Sequence, residues 1–137
     1  MLRRHLLLGT MMITVTVVFH AAGLVWLADL LNSFGESANI APDRASIMYA
    51  LVATVLVIII LHVVEAWIWA AVYYFVGEFT DLSKAMYFSV VTCTTLGYGD
   101  ITLSDRWRLL AGFEAMGGLI LFGASIAFLS AVMQHLF

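Results

Sequence analysis

The sequence predicts an all-α membrane protein, and two observations carry that prediction. The chain has 137 residues, of which 64% are hydrophobic and 11% charged, and its mean hydropathy is +1.04. A soluble domain of this length needs far more polar surface around its core. Three apolar stretches, at about 6–31, 47–76 and 109–137, also exceed the roughly 20 residues with which a helix crosses a bilayer core.

The composition argues against several classes of function. The six basic residues are scattered and form no stripe, so we expect no nucleic-acid partner. Cys93 is the only cysteine, which rules out an intrachain disulfide. No nucleophile–base pair or metal-ligand set stands near a polar segment of the sequence. We therefore expect neither an enzyme nor a bound cofactor.

Two connectors separate the apolar stretches. Residues 32–46 are polar and hold Pro42 followed by Asp43, which is typical of a loop that enters a helix with proline near its first turn. The second connector, 77–108, begins a short helix at about residues 81–93, for which Thr80-Asp81 supplies an N-cap. A glycine-spaced run follows this short helix.

The second apolar stretch ends in a group of aromatic residues. About 30 residues at ~1.5 Å each give it a length of roughly 45 Å, enough to span with tilt. Its aromatic residues are typical of an interfacial belt, and packing against neighbouring helices is the alternative for the two tryptophans. These residues are Trp67, Trp69, Tyr73, Tyr74 and Phe75.

The glycine-spaced run is Thr-Leu-Gly-Tyr-Gly-Asp at residues 95–100. A cation loses its water only where a ring of oxygens replaces the hydration shell, and backbone carbonyls can form that ring. Successive carbonyls that face one axis need alternating unusual dihedrals, which glycine tolerates. Gly97 and Gly99 stand where such a strand requires them. The run is therefore a candidate ion-binding strand.

The neighbouring residues fit the same role. Thr95 adds a hydroxyl at the inner end, while Leu96 and Tyr98 point outward into packing that fixes the width of the pore. The preceding short helix directs its C-terminal end, which carries partial negative charge, toward the axis. One chain supplies one strand, so a ring of carbonyls requires four chains around one axis.

From about Ser46 to Met133 the chain resembles the pore domain of bacterial two-transmembrane potassium channels. The run at 95–99 is similar to their Thr-Val-Gly-Tyr-Gly filter. The matching segments are Ala85-Met86-Tyr87-Phe88-Ser89-Val90, Thr94 to Asp100, Arg108-Leu109-Leu110, Gly118 and Phe122-Gly123.

This resemblance implies a homotetrameric pore fold. The N-terminal transmembrane helix and connector expected at 1–45 lie outside the resemblance and rest on the apolar stretch alone. Within the pore domain at 46–137, the implied parts are an outer helix at about 46–77, a pore helix at about 81–93, a filter at 94–100 and an inner helix at about 108–137. The filter would bind K⁺ through Thr95, Leu96, Gly97 and Tyr98, with Gly99 completing it. Filter support would come from Tyr87, Val91, Thr94 and Asp100. The inner helix would bend at Gly118 and line the pore with Leu119, Phe122, Ile126 and Ser130; close helix packing is the alternative role of Gly118.

Two residues depart from the pattern of this family. Leu96 replaces the usual valine or isoleucine and adds bulk behind the filter. Val91 stands where some members have a glutamate that pairs with the aspartate after the filter. Asp100 therefore lacks that partner, although the Tyr87 hydroxyl could replace it. We expect selectivity to persist and inactivation to differ.

Four ionisable side chains lie inside the apolar stretches, where burial in lipid is costly. They are His20, His62, Glu65 and Glu114. His62 and Glu65 are three residues apart on one helix. Interhelical hydrogen bonding is the interpretation we favour for them; coupling of gating to pH through His62, Glu65 and Glu114, and a metal site, are the alternatives. Glu114 is expected to contact the rear of the filter or the second helix.

Other controls of gating are not expected. No spanning stretch carries arginine at every third position, so we expect no voltage sensor. The third stretch ends with the chain, and we expect no cytoplasmic ligand-binding domain. Gating is then left to the membrane helices, the filter or an unidentified regulatory partner.

The orientation of the first stretch conflicts with the positive-inside tendency. If the filter's Asp100 end faces outside and the first stretch spans, Arg3 and Arg4 lie outside and the cytoplasmic connector holds only Arg44. The alternative is a first stretch that lies along the inner face. Its polar residues do not gather on one face, so we predict that it spans.

The function expected is passive, potassium-selective conduction by four identical subunits within membrane lipid. The resemblance implies a multi-pass protein of the cell membrane, the inner membrane in a bacterium. A weakly selective cation channel and a non-conducting regulatory or assembly subunit are the alternatives. A transporter with four degenerate filter repeats in one chain is disfavoured, because this chain has one intact repeat.

Overall fold

A computed structural model describes residues 2–38 and 43–136, and it is built from helices. In chain order they are α1 (Leu2–Ala38), α2 (Arg44–Phe75), α3 (Leu82–Cys93) and α4 (Arg108–Leu136). The all-helical fold class is thereby confirmed. Three of the helices contain segments long and apolar enough to cross a membrane: Arg3–Ser33, Arg44–Phe75 and Arg108–Gln134.

Aspartate side chains begin the second and third helices. Oδ1 of Asp43 accepts hydrogen bonds from the amide and the hydroxyl of Ser46, at 2.8 and 2.5 Å, and the bond from the hydroxyl is the main reason that the pKa of Asp43 lies below its usual value. Asp81 caps α3 by accepting from the amide of Ser83 at 2.9 Å. Pro42, expected at the start of α2, lies outside the described residues. Both aspartates stop the helix from fraying at its first turn.

The first helix is longer than its apolar stretch. The polar residues from 32 onward were expected to form a connector, yet α1 continues to Ala38. The hydroxyl of Ser33 bonds back to the carbonyl of Asp29 at 2.8 Å, so a polar side chain here is satisfied within the helix. The predicted connector at 32–46 is therefore too long.

The first helix packs lengthwise against α2 and α4. The His5 ring meets the Trp107 ring edge-on, with 5.1 Å between their centroids. Further along, α1 contacts α4 again where Ile13 lies close to Gly117. It then reaches α2, where Leu61 packs against Gly23. The helix therefore runs parallel to α4 and antiparallel to α2.

This arrangement makes α1 a third helix alongside the other two and not a segment lying across one end of them. Its N-terminus lies at the end of the bundle where α4 begins, near Trp107. Arg3 and Arg4 are carried to the same end. The predicted orientation, with Arg3 and Arg4 outside, stays a prediction.

The core lies where α2, α3 and α4 meet. Tyr73 on α2 is fully buried, and its ring meets the ring of Phe88 on α3 edge-on at 5.2 Å. Trp69 is buried one turn earlier. Trp69 and Tyr73 thus pack inside, whereas the remaining members of the predicted aromatic belt are exposed, namely Trp67, Tyr74 and Phe75.

Gly118 allows α4 to touch the end of α3. A Cβ built on Gly118 would overlap the backbone carbonyl of Cys93, the last residue of α3. The close-packing role considered for this glycine is confirmed. Helix α4 continues through Gly118 without a break, and a bend at this residue stays a prediction.

Replacing Gly118 with alanine should loosen the contact between α3 and α4. The new methyl group meets backbone that cannot rotate away, and overpacking of this kind costs about 1–3 kcal/mol. Gly123→Ala is the matched control, because a Cβ there meets nothing within 4 Å. We expect a lower midpoint of thermal unfolding in detergent for Gly118→Ala alone. Equal midpoints for the two variants would contradict the contact.

The orientation of α1 can be tested by labelling a cysteine in place of Leu2. A Cys93→Ser background removes the native thiol, and Arg44→Cys marks the opposite end of the bundle. In intact expressing cells, a membrane-impermeant maleimide should label residue 2 and leave residue 44 unlabelled until the membrane is permeabilised. Labelling of residue 2 only after permeabilisation would overturn the orientation.

Candidate functional site

The site begins at the C-terminal end of α3. Thr94 closes the helix, and its hydroxyl donates to the carbonyl of Val90 at 2.8 Å. The chain then reverses, because the carbonyl of Val91 accepts the amides of Leu96 and Gly97 at 3.0 and 3.2 Å. Val91 therefore supports the following segment through its backbone carbonyl, while its side chain is buried.

The segment that follows has an alternating backbone. The φ angle is positive at Thr95 (60°), Gly97 (55°) and Gly99 (77°). Among the described residues, Thr95 is the only one other than glycine with a positive φ. The sequence indicated the two glycines. It did not indicate Thr95, because an L-residue adopts positive φ only when its surroundings require it. Left-handed residues at every second position turn successive carbonyls toward one side.

The side chains of this segment find little cover within their own chain. Leu96 is 55% exposed and Tyr98 is 67% exposed. The packing predicted for these two side chains is therefore not supplied by the chain itself. An open groove of about 590 Å³ lies beside the segment, between α3 and α4, and its lining includes Thr92, Thr95 and Gly97.

Three hydrogen bonds hold the outer end of the segment and the loop that follows it. The hydroxyl of Tyr87 donates to Oδ2 of Asp100 at 2.8 Å, which supplies the partner that a glutamate at position 91 would have given. This bond raises the pKa of Tyr87 above its usual value, so the hydroxyl keeps its proton. Glu78 accepts from the amide and the hydroxyl of Ser104, both at 2.7 Å, a contact that the sequence did not reveal.

The predicted lining residues of α4 share one face of the helix and differ in exposure. Leu119, Ile126 and Ser130 are exposed along one face. Phe122 is half-buried, and its ring stacks on the His62 ring of α2 with 4.3 Å between centroids. The pore-lining role of these four residues stays a prediction.

A ring of hydrogen bonds joins α1, α2 and α4. The two oxygens of Glu65 face Nδ1 of His20 at 2.7 Å and Nδ1 of His62 at 3.0 Å. The hydroxyl oxygen of Ser125 faces Nε2 of both imidazoles, each at 3.0 Å. Interhelical hydrogen bonding, the favoured interpretation of His62 and Glu65, is confirmed. His20 and Ser125 were missing from the predicted site, although a histidine in an apolar stretch was itself a signal.

These residues also meet the distance requirement of a metal site. One ligand atom each from His20, His62 and Glu65 can be chosen so that all lie within 4.8 Å of one another. However, each imidazole nitrogen already faces an oxygen atom within 3.0 Å. The donors are spread around a ring and do not converge on one point, so the geometry favours hydrogen bonding over metal binding.

Glu114 is fully buried between α2 and α3. The hydroxyl of Tyr73 donates to its Oε2 at 2.6 Å, and Oγ of Ser89 lies 2.5 Å from its Oε1. The same Oγ lies 2.8 Å from the carbonyl oxygen of Ala66. Glu114 therefore contacts the second helix, as expected, through Tyr73. Its other contact is with Ser89 on α3, the helix that precedes residues 95–100.

A cavity of about 10 Å³ separates Glu114 from the His62–Glu65 pair, and Cys93 also lines it. That volume holds at most about one water molecule. Burial raises the pKa of Cys93 to about 12, so its thiol is uncharged here.

Comparison with known proteins gives one result. Residues 61–135 match the family model described as "Ion channel". No curated protein matches the chain, and no solved structure does. The matched residues comprise α3, the segment after it, nearly all of α4 and the second half of α2, which is more than half of the chain. The protein therefore belongs to this ion channel family and is a multi-pass membrane protein.

Proposed function

We propose that this protein is a potassium-selective channel that conducts K⁺ passively through a homotetrameric pore. The observation that carries the proposal is the alternation of positive φ at Thr95, Gly97 and Gly99 within a Thr-Leu-Gly-Tyr-Gly run. In this geometry the carbonyls of the strand can replace the hydration shell of a dehydrated cation. The proposed K⁺ ligands are the carbonyls from Thr95 to Tyr98 and the Thr95 hydroxyl.

The pore helix adds electrostatic support. A helix C-terminus carries a partial negative charge of roughly half an elementary charge. The end of α3 at Cys93 immediately precedes the strand, and the carbonyl of Val91 binds the strand's first amides. Four such helix ends around one axis would stabilise a cation below the filter.

The exposed surfaces of the single chain support assembly from four copies. Leu96 and Tyr98 are largely exposed, and the exposed face of α4 carries Leu119 and Ile126. One strand cannot surround an ion, whereas four related by a fourfold axis can. We place this tetramer in the cell membrane, which is the inner membrane in a bacterium.

Two other functions make different predictions. A weakly selective cation channel would pass Na⁺ at a rate comparable to K⁺; Tyr98 argues against it, because its aromatic ring can hold the filter at a fixed width. A non-conducting assembly subunit would pass no current alone. The complete strand, with its Asp100–Tyr87 tether, favours conduction.

Flux measurements in liposomes test this proposal. The purified protein should carry K⁺ down its gradient, Na⁺ should not replace it, and Ba²⁺ should block it. Gly97→Ala forces a side chain onto a residue at φ 55°, which costs about 1–2 kcal/mol at the strand that binds the ion. We expect this variant to lose selective flux.

The matched control is Gly77→Ala. Gly77 also has positive φ, at 83°, and open space around it, yet it lies outside the strand. It should keep K⁺ selectivity. Retained selectivity in a tetrameric Gly97→Ala protein, or no flux from the wild type, would contradict the proposal.

We also propose that the ring of His20, His62, Glu65 and Ser125 couples opening to pH. Imidazoles commonly change charge between about pH 5 and 8. The charged or titratable groups near the two imidazoles are Glu65 within the ring, and Glu114 and Cys93 across the small cavity. A change of imidazole charge would alter how tightly α1 is held to α2 and α4.

His62→Gln and His20→Gln should therefore weaken the dependence of flux on pH, because each removes an ionisable side chain from the ring. His5→Gln is the matched control, because His5 contacts Trp107 and takes no part in the ring. Flux through the His5 variant should follow the wild-type pH curve. If both ring variants also follow that curve, the coupling does not exist.

A further inference from the structure

The short oxygen–oxygen contacts around Glu114 can be compared with the number of hydrogen atoms available to fill them. Three short contacts exist: Tyr73 Oη to Glu114 Oε2 at 2.6 Å, Ser89 Oγ to Glu114 Oε1 at 2.5 Å, and Ser89 Oγ to the Ala66 carbonyl at 2.8 Å. Each contact needs one hydrogen between its two oxygens. Tyr73 supplies one. A serine hydroxyl has only one hydrogen, and Ser89 has two contacts to fill.

The Ala66 carbonyl has no hydrogen, so the hydrogen between it and Ser89 must come from Ser89. The contact between Ser89 and Glu114 then lacks a hydrogen unless Glu114 provides it. With an ionised Glu114, two oxygens would face each other at 2.5 Å without a hydrogen of their own. With a protonated Glu114, all three contacts are complete.

The surroundings favour the same state. Glu114 has no exposed surface, and no described Lys or Arg forms an ion pair with it. An unpaired carboxylate in a low-dielectric interior carries a large desolvation cost, whereas a hydrogen-bonded neutral acid does not. The titratable groups that face it are Tyr73 from α2 and Cys93 from α3, with His62 and Glu65 across the small cavity.

We propose that Glu114 is held as a neutral carboxylic acid and positions the pore helix by joining it to α2 and α4. Three hydrogen bonds then form a chain: Tyr73 donates to Glu114, Glu114 donates to Ser89, and Ser89 donates to the Ala66 carbonyl. Ser89 lies two residues before Val91, whose carbonyl binds the amides of the ion-binding strand. Fixing Ser89 therefore fixes the height and tilt at which α3 presents that strand.

The contact at Gly118 completes the junction. Gly118 lies one turn after Glu114 on α4 and touches the Cys93 carbonyl at the end of α3. The acid and the glycine hold α3 at two points, one by hydrogen bonds and one by close packing. Both points lie on the same side of α3, facing α4.

Infrared spectroscopy tests the protonation state without any flux measurement. Protein labelled with ¹³C-glutamate should show the carbonyl stretch of a protonated glutamic acid at neutral pH. Glu114→Gln should remove this band, and the control Glu78→Gln should keep it, because Glu78 is bound to Ser104 in a different part of the molecule. A missing band in the wild type, or a band that persists in Glu114→Gln, would overturn the neutral acid.

Flux measurements test the positioning role, which rests on the proposed function. Glutamine at 114 can donate its amide hydrogen to Ser89 and accept from Tyr73, so Glu114→Gln should conserve K⁺ over Na⁺ preference. Glu114→Ala leaves the Tyr73 hydroxyl without its acceptor and removes the bond between α4 and Ser89, so it should lower that preference about tenfold. Equal preference in the two variants would refute the role.

Ser89→Ala provides a second variant if Glu114→Ala does not assemble. It removes the link to α3 and leaves the Tyr73 contact in place, and it should also lower the preference about tenfold; an unchanged preference would refute the role. Absence of flux from the wild type would instead contradict the proposed function, and the infrared band would still decide the state of Glu114.

Discussion

A polar group inside a bilayer has no water to bind, and this constraint governs the whole molecule. Among the described residues, no buried side-chain nitrogen or oxygen lacks a hydrogen-bond partner. Each ionisable group inside the apolar stretches consequently marks a contact between helices. His20 identifies the contact of α1 with α2 and α4, and Glu114 identifies the contact of α2 and α4 with the pore helix.

The two polar clusters act on different parts of the structure. The ring around Glu65 fixes α1, which lies outside the segment that matches the ion channel family. Helix α1 meets that segment through its contacts with α2 and α4. Glu114 fixes α3, whose end carries the strand. A cavity no larger than about one water molecule lies between the two clusters.

The strand itself is held at both ends and left open along its length. Val91 binds it at the inner end and Tyr87 binds Asp100 at the outer end. Between these points the side chains of Leu96 and Tyr98 are exposed. The single chain therefore does not supply the surfaces that would pack these two side chains.

Reading the sequence was enough to locate the spanning helices and the glycines that adopt positive φ. A long uninterrupted apolar stretch predicts a spanning helix, because lipid offers no hydrogen-bond partners and a helix pairs its own backbone groups. Aspartates mark the starts of helices, and glycine at 97 and 99 permits positive φ. Only the tertiary structure decided the partners. No local pattern indicates that the Phe122 ring stacks on the His62 ring, and none pairs His20 with Ser125, 105 residues away. Long-range pairing depends on how helices pack, and a single helix's sequence does not encode which residue of another helix will face it.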